Sequence, residues 1–318
     1  MKALRFSKFG PPSVLSIQEL PTPNPGVGEV LVQVRAAAIN PSDVKNVAGM
    51  FPVTTLPRTP GRDFAGVIVS AGKEQGKEVW STVPGFGMIR DGVQAEYVAV
   101  PFGVLCRKPK NLGMEQAAAI GVPYLTAWAT IVRAAQLEAG ETLLIVGAAG
   151  AVGRAATQIA KWRGARVLGA DRRPERITDA DAAINIKAED LRERVLGLTG
   201  GKGADAVLDT VGGPMFESAL RSLRPGGRQI AITSVVEPRV SFNLVDFYHN
   251  ASRLIGVDTM RLTLSDVAEI ANHLTEGFEA GVLKLPAIEA APFSHAVEIY
   301  ERVAGGQASA KQVLTILS

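Results

Sequence analysis

The stretch Thr142-Leu143-Leu144-Ile145-Val146-Gly147-Ala148-Ala149-Gly150-Ala151-Val152-Gly153 reads as a strand, a loop of small residues and the start of a helix. Residues 143–147 are apolar up to the first glycine, and residues 152–163 carry apolar side chains on one helical face. Small residues let the backbone turn sharply and come close to an anion. The N–H groups and the positive end of the following helix then hold a pyrophosphate. The last six residues read Ala-x-Gly-x-x-Gly, with Ala148 where the usual dinucleotide fingerprint has its first glycine. The expected pyrophosphate contacts are therefore Gly147, Ala149, Gly150, Ala151, Val152 and Gly153. Asp171 lies eighteen residues after Gly153, at the end of the next strand. An acid there accepts hydrogen bonds from the adenine ribose and favours NAD(H). Arg172 and Arg173 follow at once, and guanidinium groups there suit a 2′-phosphate, which favours NADP(H). The two signals conflict and leave both NADP(H) and NAD(H) open.

Working outward from this loop, strands are expected at 165–170, 182–185, 206–210 and 228–233, with helical stretches such as 190–197 and 216–222 between them. Short apolar strands alternating with helices indicate βαβ units and a doubly wound parallel sheet, here placed at 123–258. Ligands of such sheets bind at the carboxyl ends of strands. That rule adds Val211 and Gly212 after the fourth strand, Thr233 and Ser234 after the fifth, and Val257 at the next edge. Upstream, residues 1–6, 14–20, 29–39, 64–70, 78–82, 95–100 and 103–107 read as short strands, the pattern of a partly closed antiparallel barrel. Helices are expected at 114–120 and 124–135, on either side of Gly121-Val122-Pro123. The tail reads as helices at 265–280 and 294–304 and a strand at 312–317 that returns to the first domain. The domains are thus 1–122 with 259–318, and 123–258.

Composition narrows the class. A chain of 318 residues exceeds one comfortable core. No apolar run approaches the ~18 residues of a membrane span, and the N-terminus has no apolar signal segment. A cytoplasmic location is expected. The net charge of +3 comes without a basic run of five, so neither nucleic acid nor membrane is an expected partner. The single cysteine, Cys106, rules out an intrachain disulfide and a Cys-rich zinc cluster, and reads as a buried thiol. His249, His273 and His295 lie far apart, with no ligand-type spacing, and no metal site is expected.

Several further stretches carry a family resemblance. They are Ala-Ala-Ile-Asn-Pro-Ser-Asp at 37–43, Pro-Gly-Arg-Asp-Phe-Ala-Gly-Val-Ile at 60–68, Gly-Val-Gln-Ala-Glu-Tyr at 92–97, Tyr-Leu-Thr-Ala-Trp at 124–128, Leu-Arg-Pro-Gly-Gly-Arg at 223–228 and Ala-Lys-Gln-Val-Leu at 310–314. With the glycine loop they resemble the medium-chain dehydrogenase/reductase superfamily, in its zinc-free quinone oxidoreductase (ζ-crystallin-like) branch, over nearly the whole chain. The resemblance implies an α/β fold: a GroES-like, partly open β-barrel catalytic domain and a Rossmann cofactor domain. At the positions matching the superfamily's catalytic zinc ligands stand Asn40, Arg62 followed by Asp63, and Val122. None is a normal zinc ligand. Where a structural four-cysteine lobe would lie, residues 83–93 carry no cysteine.

Without a Lewis acid, the substrate must accept hydride with only hydrogen bonds to its oxygen. Quinones and α,β-unsaturated carbonyls do so, because charge delocalises onto that oxygen. The resemblance implies NADPH-dependent reduction of such small molecules, which makes NADP(H) the favoured cofactor, with NAD(H) the alternative. It places Asn40 beside nicotinamide and substrate and Thr126 on the nicotinamide side. Asp43 reads either as a catalytic acid or as a helix N-terminal residue, Lys45 as a proton donor, an anionic-oxygen ligand or a solvated lysine, and Arg62 and Asp63 as a local ion pair or as residues that position the lobe. Lys45 and Phe51 replace tyrosines carried by many relatives, which leaves water as an alternative proton source. The substrate pocket is expected between the domains. Relatives commonly dimerise through the edges of their cofactor-domain sheets, so a homodimer is expected. Two other readings stay open: a non-catalytic NADPH-binding (crystallin-like or sensor) protein, and an alcohol dehydrogenase-like enzyme.

Overall fold

The computed structural model describes residues 1–70, 72–234 and 237–316. The chain divides into two compact units, Met1–Leu125 with Met260–Ser318, and Thr126–Thr259.

The first unit begins with β1 (Lys2–Arg5), β2 (Ser16–Glu19), β3 (Glu29–Ala38), β4 (Asp63–Ile68), β5 (Glu78–Thr82), β6 (Tyr97–Pro101) and β7 (Cys106–Arg107). β1 and β2 form an antiparallel pair of their own. β3 organises the larger sheet: its first half pairs with β6 and most of its length with β4, both antiparallel. Its inward residues Val32, Val34 and Ala36 to Ala38 are fully buried. Helix α1 (Pro41–Val47) follows β3, and α2 (Met114–Ala119) lays Ala117, Ala118 and Ala119 onto β3 and β4. The strand expected at 103–107 is shorter. Phe102–Val104 forms a 3₁₀ turn whose bond from Leu105 N to Phe102 O removes that stretch from the ladder.

Helix α3 (Gly121–Trp128) starts earlier than the expected residue 124. Pro123 falls in its first turn, where the missing N–H costs nothing. The Asp63 carboxylate accepts a bond from Val122 N at 3.0 Å and caps the start. A π-helical segment, Ala129–Ala134, continues it.

The second unit holds β8 (Thr142–Val146), α4 (Ala151–Trp162), β9 (Arg166–Asp171), β10 (Ala182–Asn185), α5 (Leu191–Leu198), β11 (Ala204–Asp209), α6 (Phe216–Leu220), β12 (Leu223–Ala231), α7 (Leu244–His249) and β13 (Arg253–Gly256). The sheet order is β10-β9-β8-β11-β12-β13, and each pairing is parallel. The chain winds outward from β8 through β9 to β10, then crosses back to β11 and winds the other way. The order therefore switches between β8 and β11, where open α/β sheets bind their ligands. Leu143, Leu144, Ile145 and Val146 have no exposed surface, as a strand covered on both faces requires.

The tail adds α8 (Leu264–Glu279), β14 (Ile288–Pro292), α9 (Ala296–Ala304) and β15 (Lys311–Thr315) to the first unit. β15 pairs antiparallel with Ala36 to Ala38 of β3, and β14 runs parallel to β15. The helix expected from residue 294 opens as a 3₁₀ turn, Phe293–His295. The expected end of the last strand, Leu317, lies outside the described residues. Among the described residues, no helix is long and apolar enough to cross a membrane.

Candidate functional site

In the second unit the loop after β8 is shaped by what a side chain would strike. Gly147 has φ +84°, and a Cβ there would lie 2.2 Å from Thr210 Oγ1. Thr210 in turn donates to Val146 O at 2.7 Å. At Gly153 a Cβ would lie 2.4 Å from Gly147 O, so the first turn of α4 sits directly on the loop. Gly150 is the N-cap and offers no side chain. The amides of Ala151, Val152 and Gly153 open α4 and have no intrahelical acceptor. These residues fit a pyrophosphate.

Asp171 ends β9 with both oxygens engaged. One accepts from Ala149 N at 3.2 Å and the other from Arg173 N at 3.0 Å. The carboxylate thus braces the glycine loop against the next strand end. Arg172 and Arg173 are exposed. Arg154, on the first turn and a half of α4, reaches Arg176 O at 3.4 Å, while its Nε is buried without a partner. It adds a guanidinium to this corner that the motif does not reveal.

Of the remaining predicted positions in this unit, all but Thr126 follow the ends of parallel strands. Asp209 is fully buried at the end of β11, and burial pushes its carboxyl above the ordinary range. Its Oδ1 accepts from Val211 N at 2.9 Å and Gly212 N at 2.8 Å, which holds this loop in place. Thr233 and Ser234 follow β12, and Val257, after β13, donates its N–H to Ala231 O. Thr126 is buried in α3, with its carbonyl accepting from Thr130 Oγ1 at 2.8 Å.

In the first unit a buried charge cluster gathers around the β3–α1 turn. Asn40 caps α1 and is 3% exposed. Its backbone N–H donates to Asp43 Oδ2 at 2.8 Å, and its Nδ2 donates to Asp63 Oδ2 at 2.8 Å. Its Oδ1 accepts from Lys311 Nζ. Lys311 Nζ also stands 3.7 Å from Asp63 Oδ2. Arg62 Nε lies 4.0 Å from Asp43 Oδ1, and Arg62 Nη2 donates to Ser42 Oγ at 2.6 Å. The expected ion pair between neighbours Arg62 and Asp63 is therefore replaced by two crossed pairs. Asp63 starts β4 and turns to Lys311, while Arg62 turns to Asp43.

Burial pushes the Asp43 carboxyl up, against the pull of Arg62 and the Asn40 N–H. Burial pulls the Lys311 ammonium down, against Asp63 and Asp43. Tyr300, fully buried nearby, donates to Gln94 Oε1 at 2.8 Å, and burial with the Asp43 charge holds its hydroxyl well above the usual range. Lys45 is half-buried on α1. Lys311 escaped sequence reasoning as a site residue; the only signal was its place in the closing Ala-Lys-Gln-Val-Leu. Among the described residues, no three His, Cys, Asp or Glu side chains are grouped to hold a metal ion.

Comparison with known proteins matches both units. Residues 26–110 fit the alcohol dehydrogenase GroES-like domain, and residues 151–276 fit the zinc-binding dehydrogenase family model. The chain is 36% identical to a zinc-type alcohol dehydrogenase-like protein of Schizosaccharomyces pombe, over 90% of this chain and 87% of that one. It is 30% identical to the quinone oxidoreductase of Homo sapiens, over 100% of this chain and 98% of the relative. The Escherichia coli quinone oxidoreductase, solved in complex with NADPH, superposes with a TM-score of 0.86 at 25% identity, covering 99% of this chain and 100% of that one. The chain is accordingly an oxidoreductase of the medium-chain dehydrogenase/reductase superfamily and belongs to its quinone oxidoreductase branch.

Proposed function

We propose that the protein carries hydride from NADPH to a quinone or an α,β-unsaturated carbonyl without a resident zinc ion. The observation that carries this reading is the buried cluster of Asn40, Asp43, Arg62, Asp63 and Lys311. It sets a guanidinium and an ammonium against two carboxylates and contains no imidazole or thiolate. Such a donor set does not fit zinc, because two fixed cations already neutralise the anionic oxygens. It does suit a substrate oxygen that gains negative charge.

The residues of the second unit fit a dinucleotide. The amides of Ala151, Val152 and Gly153 would hold the pyrophosphate, with Gly147, Ala149 and Gly150 shaping the approach. Arg172 and Arg173 would hold the 2′-phosphate, and Asp171 would keep the loop in register while accepting from the ribose. Val211, Gly212, Thr233, Ser234 and Val257 would flank the rest of the cofactor, and Thr126 and Asn40 its nicotinamide end. When bound, the reduced nicotinamide supplies hydride. Asn40 offers an amide N–H, since only one of its two is taken by Asp63. Asp43 fixes the Asn40 backbone, and Lys45 supplies a proton to the reduced product.

The test is turnover with NADPH and NADH in parallel across a panel of quinones and enones, on protein whose zinc content has been measured. NADPH-dependent reduction by zinc-free protein is expected. Binding of NADPH without its oxidation by any member of the panel would overturn the catalytic reading in favour of a sensor. Activity that tracks zinc content would overturn zinc independence.

A further inference from the structure

We infer that Arg62 is the group that receives the substrate's oxygen as it turns into an enolate or phenolate. This rests on the proposed hydride transfer and names the residue that stabilises its charge. Arg62 is 6% exposed, yet its hydrogen-bonding capacity is mostly unspent. A guanidinium has five N–H donors. Here Nη2 gives one to Ser42 Oγ at 2.6 Å and Nη1 gives one to Met260 Sδ at 3.1 Å. Thioether sulfur is a weak acceptor. Nε is buried and has no hydrogen-bond partner among the described residues, and Asp43 stands off at 4.0 Å. Buried donors are normally hydrogen-bonded, because an unpaired one has lost its bonds to water without replacing them.

The neighbours explain why the fork is not closed. Asp43 Oδ2 is taken by the Asn40 N–H, and Asp63 is taken by Asn40 Nδ2, Val122 N and Lys311. The surrounding carboxylates thus balance the charge of Arg62 without satisfying its donors. A guanidinium held in this way has donors to spare for an incoming oxygen, and gains most when that oxygen is anionic.

A bound reduced nicotinamide would supply the substrate with one hydride and its electron pair, and would be left oxidised. The negative charge moves to the carbonyl oxygen facing Arg62. That oxygen, or the α-carbon conjugated to it, then takes one proton from Lys45 or water. Arg62 itself keeps its proton throughout.

Turnover and a spectroscopic probe test this separately. 4-Nitrophenol, whose phenolate is coloured, stands in for the anionic product. Titrated into wild-type protein saturated with the oxidised dinucleotide, it is expected to ionise at lower pH than in water. The Arg62→Met protein, shown to be folded by circular dichroism and melting, is expected to lose that shift and about 10²–10³-fold in kcat/KM. Its dinucleotide affinity should be unchanged. Arg62→Lys keeps the charge without the fork, and should retain part of the shift with at least tenfold lower kcat/KM. If Arg62→Met does not fold, Arg62→Lys decides, and wild-type kcat/KM in that variant overturns the inference. So does an unaltered nitrophenol shift in Arg62→Met, or the absence of any shift in wild-type protein. Wild-type protein that reduces no quinone or enone but shows an Arg62-dependent shift would sink the proposed function and leave this site standing.

Discussion

Arg172 and Arg173 are exposed at the end of β9, with Asp171 bonded to the backbone of Arg173. The carboxylate that favours NAD in the sequence spends both oxygens on backbone amides, so its first duty is to the loop. Under the proposed function, the two guanidinium groups would select the cofactor. Charge-assisted hydrogen bonds contribute about 1.5–3 kcal/mol each. Arg172→Ala with Arg173→Ala is expected to weaken NADPH binding by roughly 10–100-fold and leave NADH binding unchanged, on the scale of ~1.4 kcal/mol per factor of ten. Parallel fluorescence titrations of the two cofactors check this; equal loss for both would show that the arginines do not read the phosphate. The cluster around Asn40 was legible only in part. Asn40 and Asp43 stand out as a helix start in the sequence, but nothing local says that Lys311 will meet the Asn40 side chain.

Periodicity and small-residue runs located most elements, and the misses have physical causes. β7 is two residues long because a 3₁₀ turn claims the residues before it. The expected straight helix after Pro123 widens at Ala129–Ala134. There Ala135 N reaches back to Thr130 O, and Thr130 Oγ1 donates to Thr126 O and Ala127 O. Such side-chain back-bonding is a choice among local states that packing makes. Cys106 on β7 is buried against α8, with Sγ 3.5 Å from Ala268 O, and burial pushes the thiol up to about 11. The folded state therefore holds this proton more tightly than the unfolded chain. Its contribution to stability is undiminished at neutral pH and falls as pH rises from about 9 towards 11. Iodoacetamide is expected to leave Cys106 unmodified at pH 8 in native protein and to label it on unfolding. Fast native labelling would show that the thiol is accessible.

Over the whole chain, the tail completes the first unit. Trp80 Nε1 donates to Thr275 Oγ1 at 3.0 Å, and Arg107 grips Glu279 of α8 with two nitrogens. β15 pairs with β3 across almost the full length of the sequence. The second unit leaves β13 as an edge strand with Leu254 39% exposed, and on the preceding helix α7 Leu244, Val245 and Tyr248 are 64%, 50% and 58% exposed. An unpaired apolar edge of this kind invites a second copy. We predict a homodimer through this edge, twice the 33.5 kDa chain by light scattering. Leu254→Glu with Tyr248→Glu should give folded monomers. A wild-type monomer at micromolar concentration would remove the prediction.

The sequence by itself determined the strand–loop–helix unit, the two patterns of strand spacing and the residue types Asn40, Arg62 and Val122. These depend on residue type and on spacing within a few turns of chain, and local sterics and hydrophobic periodicity act over that range. Only the tertiary structure decided which buried charges meet. It turned Asp63 to Lys311, Arg62 to Asp43 and Asp171 to the Ala149 amide. A polar group takes the partner that folding brings within about 3 Å, and that choice belongs to the return of distant segments, not to the residues beside it.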